Sequence, residues 1–210
     1  MEQKNILIFP CGTAVALEMY DALKYNSHFR IYGFSAKMDY TDYLYPEGMY
    51  LYTDERLMIF HPEFEKTIAE LIKRFSIEFI IPSFDDVAEK LAKIADHLSA
   101  KVVTSPYKTA VAARDKRLMY KSLDGIIPVP LTFESPQSVE DFPVFFKPAK
   151  GCGSVGAMLV NDMEQLTSCV SKQNDFVICE YLPGEEISVD CFTDRHGILR
   201  FIGPRMFVVK

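Results

Sequence analysis

The chain has 210 residues, of which 49% are hydrophobic and 25% are charged, and its formal net charge at pH 7 is -6. This composition is typical of a folded globular protein with enough apolar side chains to build a core. The negative net charge argues against a nucleic-acid binder, because phosphate backbones are bound by basic surfaces. The length indicates one large domain or two small ones.

The chain contains 5 cysteines, namely Cys11, Cys152, Cys169, Cys179 and Cys191. They form no C-x-x-C pair and their number is odd, which argues against a disulfide framework or a zinc site. The histidines are scattered, so we predict no metal ligands among them. The N-terminal apolar run is too short for a signal peptide, and no run approaches the roughly 18 apolar residues that span a membrane. We therefore expect a cytoplasmic protein that binds no membrane.

Strand and helix patterns alternate over residues 1–104. The continuous apolar run Asn5–Phe9 predicts a buried parallel strand, and Thr13 is a candidate N-cap for the helix that follows. The alternation continues with strands at 29–34, 49–52 and 101–105, with a strand over 78–86 that ends in an acidic loop, and with helices at 62–75 and 86–98. We predict an α/β fold that opens with a small, Rossmann-like open parallel sheet.

The pattern changes after Ser105. Residues 105–124 are predicted to be helical in two pieces, and residues 125–137 form a Pro-rich connection. Predicted strands follow at 142–149, 155–160, 176–182, 185–194 and 198–204, with one helix at 162–172. This order is typical of a mostly antiparallel α+β domain, so we predict domains at 1–104 and 105–210.

Residues 151–157, GCGSVGA, match the dinucleotide-binding pattern G-x-G-x-x-G/A. That pattern binds a pyrophosphate only when its last glycine opens a helix. The residues after Gly156 are AMLV, which predict a strand. A nicotinamide-binding loop is therefore the less favoured alternative, and a P-loop is excluded because no G-K-[ST] follows.

The remaining interpretation is a strand, a glycine loop and a returning strand. Backbone N–H groups beside Gly151, Gly153 and Gly156 can curl around an anion, and Ser154 adds a hydroxyl donor. Lys147 lies on the strand that enters the loop, so the segment suits a polyphosphate. The alternative is a surface turn with incidental lysines.

A second hairpin segment runs from Glu180 to Asp190, with a Pro-Gly turn in its middle. The strand end at Glu180–Leu182 offers backbone groups that can pair with a base edge. Glu186 lies just past the turn and can accept hydrogen bonds from ribose hydroxyls. The alternative is a plain hairpin with charged residues on its solvent side. Similarly, Lys116 at a helix start can reach a phosphate or can belong to a solvated charge cluster.

Together these segments resemble the ATP-grasp superfamily, with motifs in family order. The resemblance rests on KPAKGCGSVGA at 147–157, EYLPGEEISVD at 180–190 and RDKRLMYKSLDGIIPVP at 114–130. The first domain, with its acidic SFDD strand end at 83–86, resembles the preceding domain of members like the large subunit of carbamoyl-phosphate synthase.

The resemblance implies a role for each matching residue. Lys116 and Lys147 match lysines that contact ATP phosphates. Gly151, Gly153, Ser154 and Gly156 match the flap over the β- and γ-phosphates. Glu180, Tyr181 and Leu182 match the adenine hinge, and Glu186 matches the ribose carboxylate. Family members use ATP and Mg²⁺ to phosphorylate a small carboxylate, and an amine then displaces phosphate. Such catalysis works by positioning and charge neutralisation.

The sequence departs from the family at its C-terminal end. The family's E-x-N-x-R-like magnesium-binding segment does not occur before Lys210, so we expect an incomplete nucleotide-binding domain without ligase turnover on its own. The alternative function is a non-catalytic nucleotide-binding module, or a partner of a second chain. An unpaired edge near residues 198–209 predicts self-association into a homo-oligomer.

Two turns of the first domain are further candidates for substrate contacts. Asp85 and Asp86 follow a strand, at the end of the sheet where open α/β folds bind ligands. The turn at residues 11–13 follows the first strand. For both turns the alternative is the local one, in which their side chains cap the helices that begin there.

Overall fold

The structure is a computed structural model that describes residues 3–37, 45, 50–151, 153–194 and 196–206. It divides into two compact units, Met1–Asp124 and Gly125–Lys210. The first unit contains a parallel sheet with helices, and the second contains antiparallel strands and one α-helix among its described residues. The predicted α/β class, with a parallel sheet followed by an α+β region, is confirmed.

Unit 1 begins with the predicted β-α-β arrangement. Its elements are β1 (Lys4–Phe9), α1 (Ala14–Leu23), β2 (Phe29–Ser35), β3 (Tyr50–Thr53), α2 (Phe64–Arg74), β4 (Phe79–Pro82), α3 (Asp85–Ile94), β5 (Lys101–Val102), α4 (Tyr107–Arg114) and α5 (Lys116–Leu123). Short 3-10 helices lie at Glu55–Leu57 and Ala95–His97. The predicted strand at 49–52 corresponds to β3, and Met49 lies outside the described residues.

The strands of unit 1 pair in the order β3-β2-β1-β4-β5, and every pairing is parallel. β1 is central, and both of its faces are covered. Leu7 and Phe9 face one cluster with α2 and α3, whereas Ile8 faces another with Ala16 and Tyr20 of α1. Burial on both faces explains why β1 is a continuous apolar run instead of an alternating one.

Helices α4 and α5 belong to unit 1, which ends at Asp124. α4 is tied to α3 by Arg114, whose guanidinium pairs with the carboxylates of Asp86 and Glu89. The division into functional domains at 1–104 and 105–210 stays a prediction.

Unit 2 contains β6 (Thr132–Phe133), β7 (Val144–Pro148), β8 (Met158–Val160), α6 (Met163–Lys172), β9 (Phe176–Glu180), β10 (Ile187–Thr193) and β11 (Leu199–Met206), with a 3-10 helix at Pro136–Ser138. One antiparallel sheet has the order β6-β9-β7-β8, and β10 and β11 form a separate antiparallel ribbon. The short strand β6 was not predicted, because it lies in the Pro-rich connection.

Alternation along β7 gives the larger sheet of unit 2 two different faces. Val144 and Phe146 pack with Leu166 of α6 and with Ile178 of β9. Phe145 and Lys147 therefore point to the opposite face. In the described part of both units, no helix is long and apolar enough to cross a membrane.

Candidate functional site

Lys147 lies on the sheet face of unit 2 that is directed away from α6. It pairs with Val177 of β9, and Phe145 pairs with Cys179. The Nζ atom of Lys147 lies 5.5 Å from the centroid of the Phe145 ring. Lys147, the predicted phosphate ligand, is thus half-buried, and an aromatic ring lies beside it on the same sheet face.

Cys179 is a close neighbour of Lys147 on the same face. Its Sγ atom lies 3.6 Å from the carbonyl oxygen of Phe145, and its side chain is buried. Burial raises the pKa of the Cys179 thiol, and the Lys147 ammonium opposes that rise. The thiol therefore stays neutral near pH 7 and contributes no negative charge beside the lysine. Sequence reasoning missed Cys179, which lies opposite Phe145 and therefore diagonal to Lys147 on the same face.

The glycine loop connects β7 to β8, as predicted. Its backbone is left-handed at Gly151 (φ 129°), Gly153 (66°), Ser154 (58°) and Gly156 (74°). The N–H of Ala157 donates to the carbonyl of Ser154 at 3.1 Å and closes a turn. These four left-handed residues are exposed. A turn that contains left-handed residues can curl its backbone N–H groups around an anion.

The residues after the loop decide between the two nucleotide interpretations. β8 begins at Met158, and α6 begins only at Met163, where the Asp162 side chain accepts from the N–H of Gln165. A dinucleotide fingerprint requires a helix that opens at its last glycine. Because a strand follows Gly156 instead, the loop lacks the helix N-terminus that would hold a pyrophosphate in that mode.

The predicted hinge begins where β9 ends, at Glu180. The N–H of Glu180 donates to the carbonyl of Leu131 at 2.9 Å, and its Oε1 accepts from the N–H of Leu131 at 2.8 Å. Tyr181 and Leu182 follow in irregular backbone and are 40% and 60% exposed. Both residues are therefore exposed at the end of the sheet, while the Glu180 side chain holds the connecting segment. Sequence reasoning did not foresee this contact.

Glu186 is exposed and directly precedes β10. In unit 2 the structure thus brings Lys147, Cys179 and the start of the hinge onto adjacent strands, β7 and β9. The glycine loop extends from the same strand β7. The ribose role of Glu186 stays a prediction.

Lys116 belongs to unit 1, where it is the first residue of α5. The residue before it, Asp115, is the N-cap of this helix and is 4% exposed. Its carboxylate accepts from the backbone N–H of Arg117 at 3.0 Å and from the guanidinium Nη2 of Arg117 at 2.7 Å. The Arg117 guanidinium lowers the pKa of Asp115, which stays ionised. Asp115 therefore fixes the backbone that carries Lys116, whose contact with phosphate stays a prediction.

The two turns at the end of the parallel sheet make mainly local contacts. Thr13 caps α1 by accepting from the N–H of Ala16 at 3.0 Å, and it donates to Ser83 Oγ at 2.9 Å. Asp85 and Asp86 lie in the first turn of α3, where negative charge is favourable. The pairing of Asp86 with a guanidinium on α4 makes it part of the helix packing. Substrate contacts at these turns stay predictions.

A cavity of about 720 Å³ lies between β8 and α6. Phe146 and Met158 line it together with Asp162, Glu164 and Lys172. It lies on the α6 side of the sheet, opposite to Lys147, and it presents two carboxylates. This cavity therefore does not suit a polyphosphate, and the candidate site is the face of β7 and β9 that carries Lys147.

The fit of a magnesium ion can be tested against the side chains. Among residues 3–37, 45, 50–151, 153–194 and 196–206, no three histidine, cysteine or carboxylate side chains come together as metal ligands. Magnesium is held by carboxylates together with substrate phosphates. One or two carboxylates can suffice for such binding, so what the described residues lack is a preformed three-ligand metal centre.

Comparison with known proteins shows a similarity to a known domain family in the second half of the chain. Residues 113–210 match the family model of the ATP-grasp domain. The chain is 27% identical over 115 residues to the D-alanine–D-alanine ligase of Fusobacterium nucleatum, a match that covers 54% of this chain and 40% of that protein.

Solved structures show the same fold. The L-amino acid ligase of Bacillus licheniformis superposes with a TM-score of 0.71 at 17% identity, covering 98% of this chain and 51% of that one. The biotin carboxylase domain of Hydrogenobacter thermophilus 2-oxoglutarate carboxylase, solved with MgADP, ADP and bicarbonate, gives 0.69 at 14% identity, with coverage of 95% and 49%.

The chain spans about half the length of these structures. The similarity covers the described arrangement of β7, the glycine loop, β8 and β9, and the family model begins inside α4. The superfamily predicted from the motifs is confirmed. Residues 113–210 are an ATP-grasp domain.

Proposed function

We propose that the chain binds ATP on this face of β7 and β9, beneath the glycine loop. The observation that carries this proposal is the position of Lys147, which lies on that face at the base of a loop with four left-handed residues. A lysine ammonium neutralises phosphate charge, and backbone N–H groups of a glycine-rich turn can bind phosphate oxygens. The backbone of the exposed residues Tyr181 and Leu182 is the predicted partner for the adenine edge.

The activity that we propose is that of an ATP-dependent carboxylate–amine ligase, of which this chain is the part that carries the nucleotide contacts. The support is the similarity to two proteins named as ligases of amino acids, the D-alanine–D-alanine ligase and the L-amino acid ligase. In this reaction a carboxylate attacks the γ-phosphorus, ADP leaves, and an amine then displaces phosphate from the acyl phosphate. Mg²⁺ would screen the phosphate charges, as the MgADP complex of one structural relative suggests.

The narrower likeness to the large subunit of carbamoyl-phosphate synthase is part of this proposal, and it rests on the sequence of the first domain alone. The partners would then be ATP, a small carboxylate and an amine. A role that uses ATP agrees with the predicted cytoplasmic location. These statements concern the reaction class and do not name the acid or the amine.

Isothermal titration of the purified chain with ATP in the presence of Mg²⁺ tests the binding proposal. We expect saturable 1:1 binding that is weakened about tenfold or more in Lys147→Met, because a charged hydrogen bond to phosphate is worth about 1.5–3 kcal/mol. The matched control is Lys172→Met at the end of α6, on the other side of the sheet, which should leave the affinity unchanged. Equal affinity in Lys147→Met and the wild type would refute the site.

A second experiment separates the ligase from the non-catalytic module. Phosphate release is measured with ATP, Mg²⁺ and a mixture of amino acids. Release that requires an amino acid and is lost in Lys147→Met supports ligase activity. Saturable ATP binding with no release under any condition agrees with the expectation that this chain does not turn over ATP on its own, and it makes nucleotide binding without catalysis the function of the chain by itself.

A further inference from the structure

Phe145 and Lys147 are two residues apart on β7, so their side chains stand on the same sheet face. The Nζ atom of Lys147 lies 5.5 Å from the ring centroid of Phe145. This distance is within the range of about 6 Å in which an ammonium is attracted by the negative face of an aromatic ring. The lysine therefore folds back over its own strand instead of extending straight away from the sheet.

The Phe145 ring is held from both sides. Phe145 pairs with Cys179 on β9 and with Leu159 on β8, so it occupies the middle of the sheet and not its edge. Cys179 is 2% exposed and contacts the Phe145 carbonyl through its sulfur atom. Because Cys179 and Leu159 are fixed in register beside Phe145, the ring has a defined position next to the Lys147 ammonium.

A lysine side chain has a flexible stem of four carbons, and fixing it costs about 2 kcal/mol of conformational entropy. A lysine that is already held near its binding position loses less of this freedom when a ligand arrives. An aromatic ring under the ammonium can supply that restriction without neutralising the charge.

We propose that Phe145 is a positioning residue, whose ring holds the Lys147 ammonium over this sheet face in the orientation that receives phosphate. The inference rests on the proposed function, since it assigns Lys147 to a phosphate group. Phe145 itself touches no phosphate and acts through the lysine. Its contribution is that of an exposed cation–π contact, about 0.5–1 kcal/mol, which corresponds to a two- to fivefold change in affinity.

A double-mutant cycle on ATP affinity tests the coupling. The variants are Phe145→Leu, Lys147→Met and the double variant, and Phe145→Tyr is the conservative control. We expect Phe145→Leu to weaken ATP binding two- to fivefold, Phe145→Tyr to retain the wild-type affinity, and Phe145→Leu to have no further effect once Lys147 is replaced by methionine. Additive effects of the two substitutions would overturn the inference, because a ring that merely packs would act independently of the lysine.

A measurement without nucleotide separates this inference from the proposed function. The ring current of Phe145 should shift the NMR signals of the Lys147 ε-methylene protons upfield in the free protein, and Phe145→Leu should abolish that shift while the spectrum stays dispersed. An unshifted Lys147 signal in the wild type overturns the positioning role. A shifted signal combined with unchanged ATP affinity in Lys147→Met overturns the proposed ATP site, and the role of Phe145 in binding falls with it.

Discussion

Leu131 and Glu180 are joined by reciprocal hydrogen bonds, since the N–H of each donates to an oxygen of the other, at 2.8 Å and 2.9 Å. The side-chain half of this pair attaches the connecting segment before β6 to the end of β9. We expect Glu180→Leu to lower the free energy of unfolding of unit 2 by about 1 kcal/mol, because one hydrogen bond to a carboxylate is lost at an exposed position. Urea unfolding followed by circular dichroism measures the change.

The controls for this substitution are Glu180→Gln and Glu185→Leu. The amide oxygen that Glu180→Gln introduces can still accept from the N–H of Leu131, so the stability should stay near that of the wild type. Glu185 is exposed in the following turn, and its substitution removes the same charge from the same region. A loss in Glu185→Leu equal to that in Glu180→Leu would show that charge, and not the hydrogen bond, is responsible.

Gly156 and Gly153 have similar left-handed backbones, with φ of 74° and 66°. A Cβ atom at 156 would lie 3.0 Å from Cγ of Pro148, whereas a Cβ at 153 would meet nothing within 4 Å. Both alanine substitutions carry the backbone cost of about 1–2 kcal/mol, but only Gly156→Ala adds a steric contact. We therefore expect Gly156→Ala to be the more destabilising in thermal unfolding, and to weaken ATP binding more strongly.

The comparison of these two alanine variants is its own control. Equal losses of stability would mean that Pro148 moves aside without cost. If Gly153→Ala were the worse variant, the backbone at the tip of the loop, and not its packing against β7, would limit the substitution.

The lowered pKa of Asp115 predicts a dependence of stability on pH. A carboxyl group whose pKa is lower in the folded chain adds stability above its unfolded pKa of about 3.9, and this contribution is lost as the pH falls below that value. Asn is an equally good N-cap, so Asp115→Asn removes the charge and keeps the helix cap. We expect the wild type to be more stable than Asp115→Asn at pH 7 and the difference to shrink below pH 4.

Unfolding free energies at several pH values check this prediction. The matched control is Asp96→Asn, at an exposed position of a 3-10 helix. A difference between the wild type and Asp115→Asn that stays constant from pH 7 to pH 3 would contradict the assigned role of the Arg117 contact.

Local signals in the sequence predicted most of the fold. The apolar run of β1, the cap at Thr13 and the strand–glycine loop–strand order are encoded by neighbouring residues, and the structure shows each of them. The end of unit 1 was harder to predict. Its position depends on how α4 packs on α3 through Arg114, which is a contact between distant residues that no local pattern reveals.

The same distinction applies to the candidate site. The glycines and Lys147 stand in a recognisable motif, so the residue types and their spacing were enough to find them. Cys179 and Leu131 carry no motif, and their proximity to Lys147 and Glu180 follows only from strand register. The left-handed backbone at Ser154 was also not foreseen, because non-glycine residues rarely adopt it and serine gives no local sign of it.

The β10–β11 ribbon predicts how the purified chain behaves at high concentration. Phe192, Phe201 and Ile202 of this ribbon are 58–61% exposed, although Asp190 and Arg205 pair across it. A two-stranded ribbon is marginally stable alone, and exposed apolar side chains on both of its faces favour association with another chain. We expect concentration-dependent self-association in sedimentation velocity, and we expect Phe201→Thr to reduce it. The control is Phe60→Thr, which removes an 84% exposed ring from unit 1 and should change nothing. If the chain sediments as a monomer at every concentration, the exposed apolar side chains of the ribbon drive no association. If both substitutions have the same effect, the ribbon is not the specific contact.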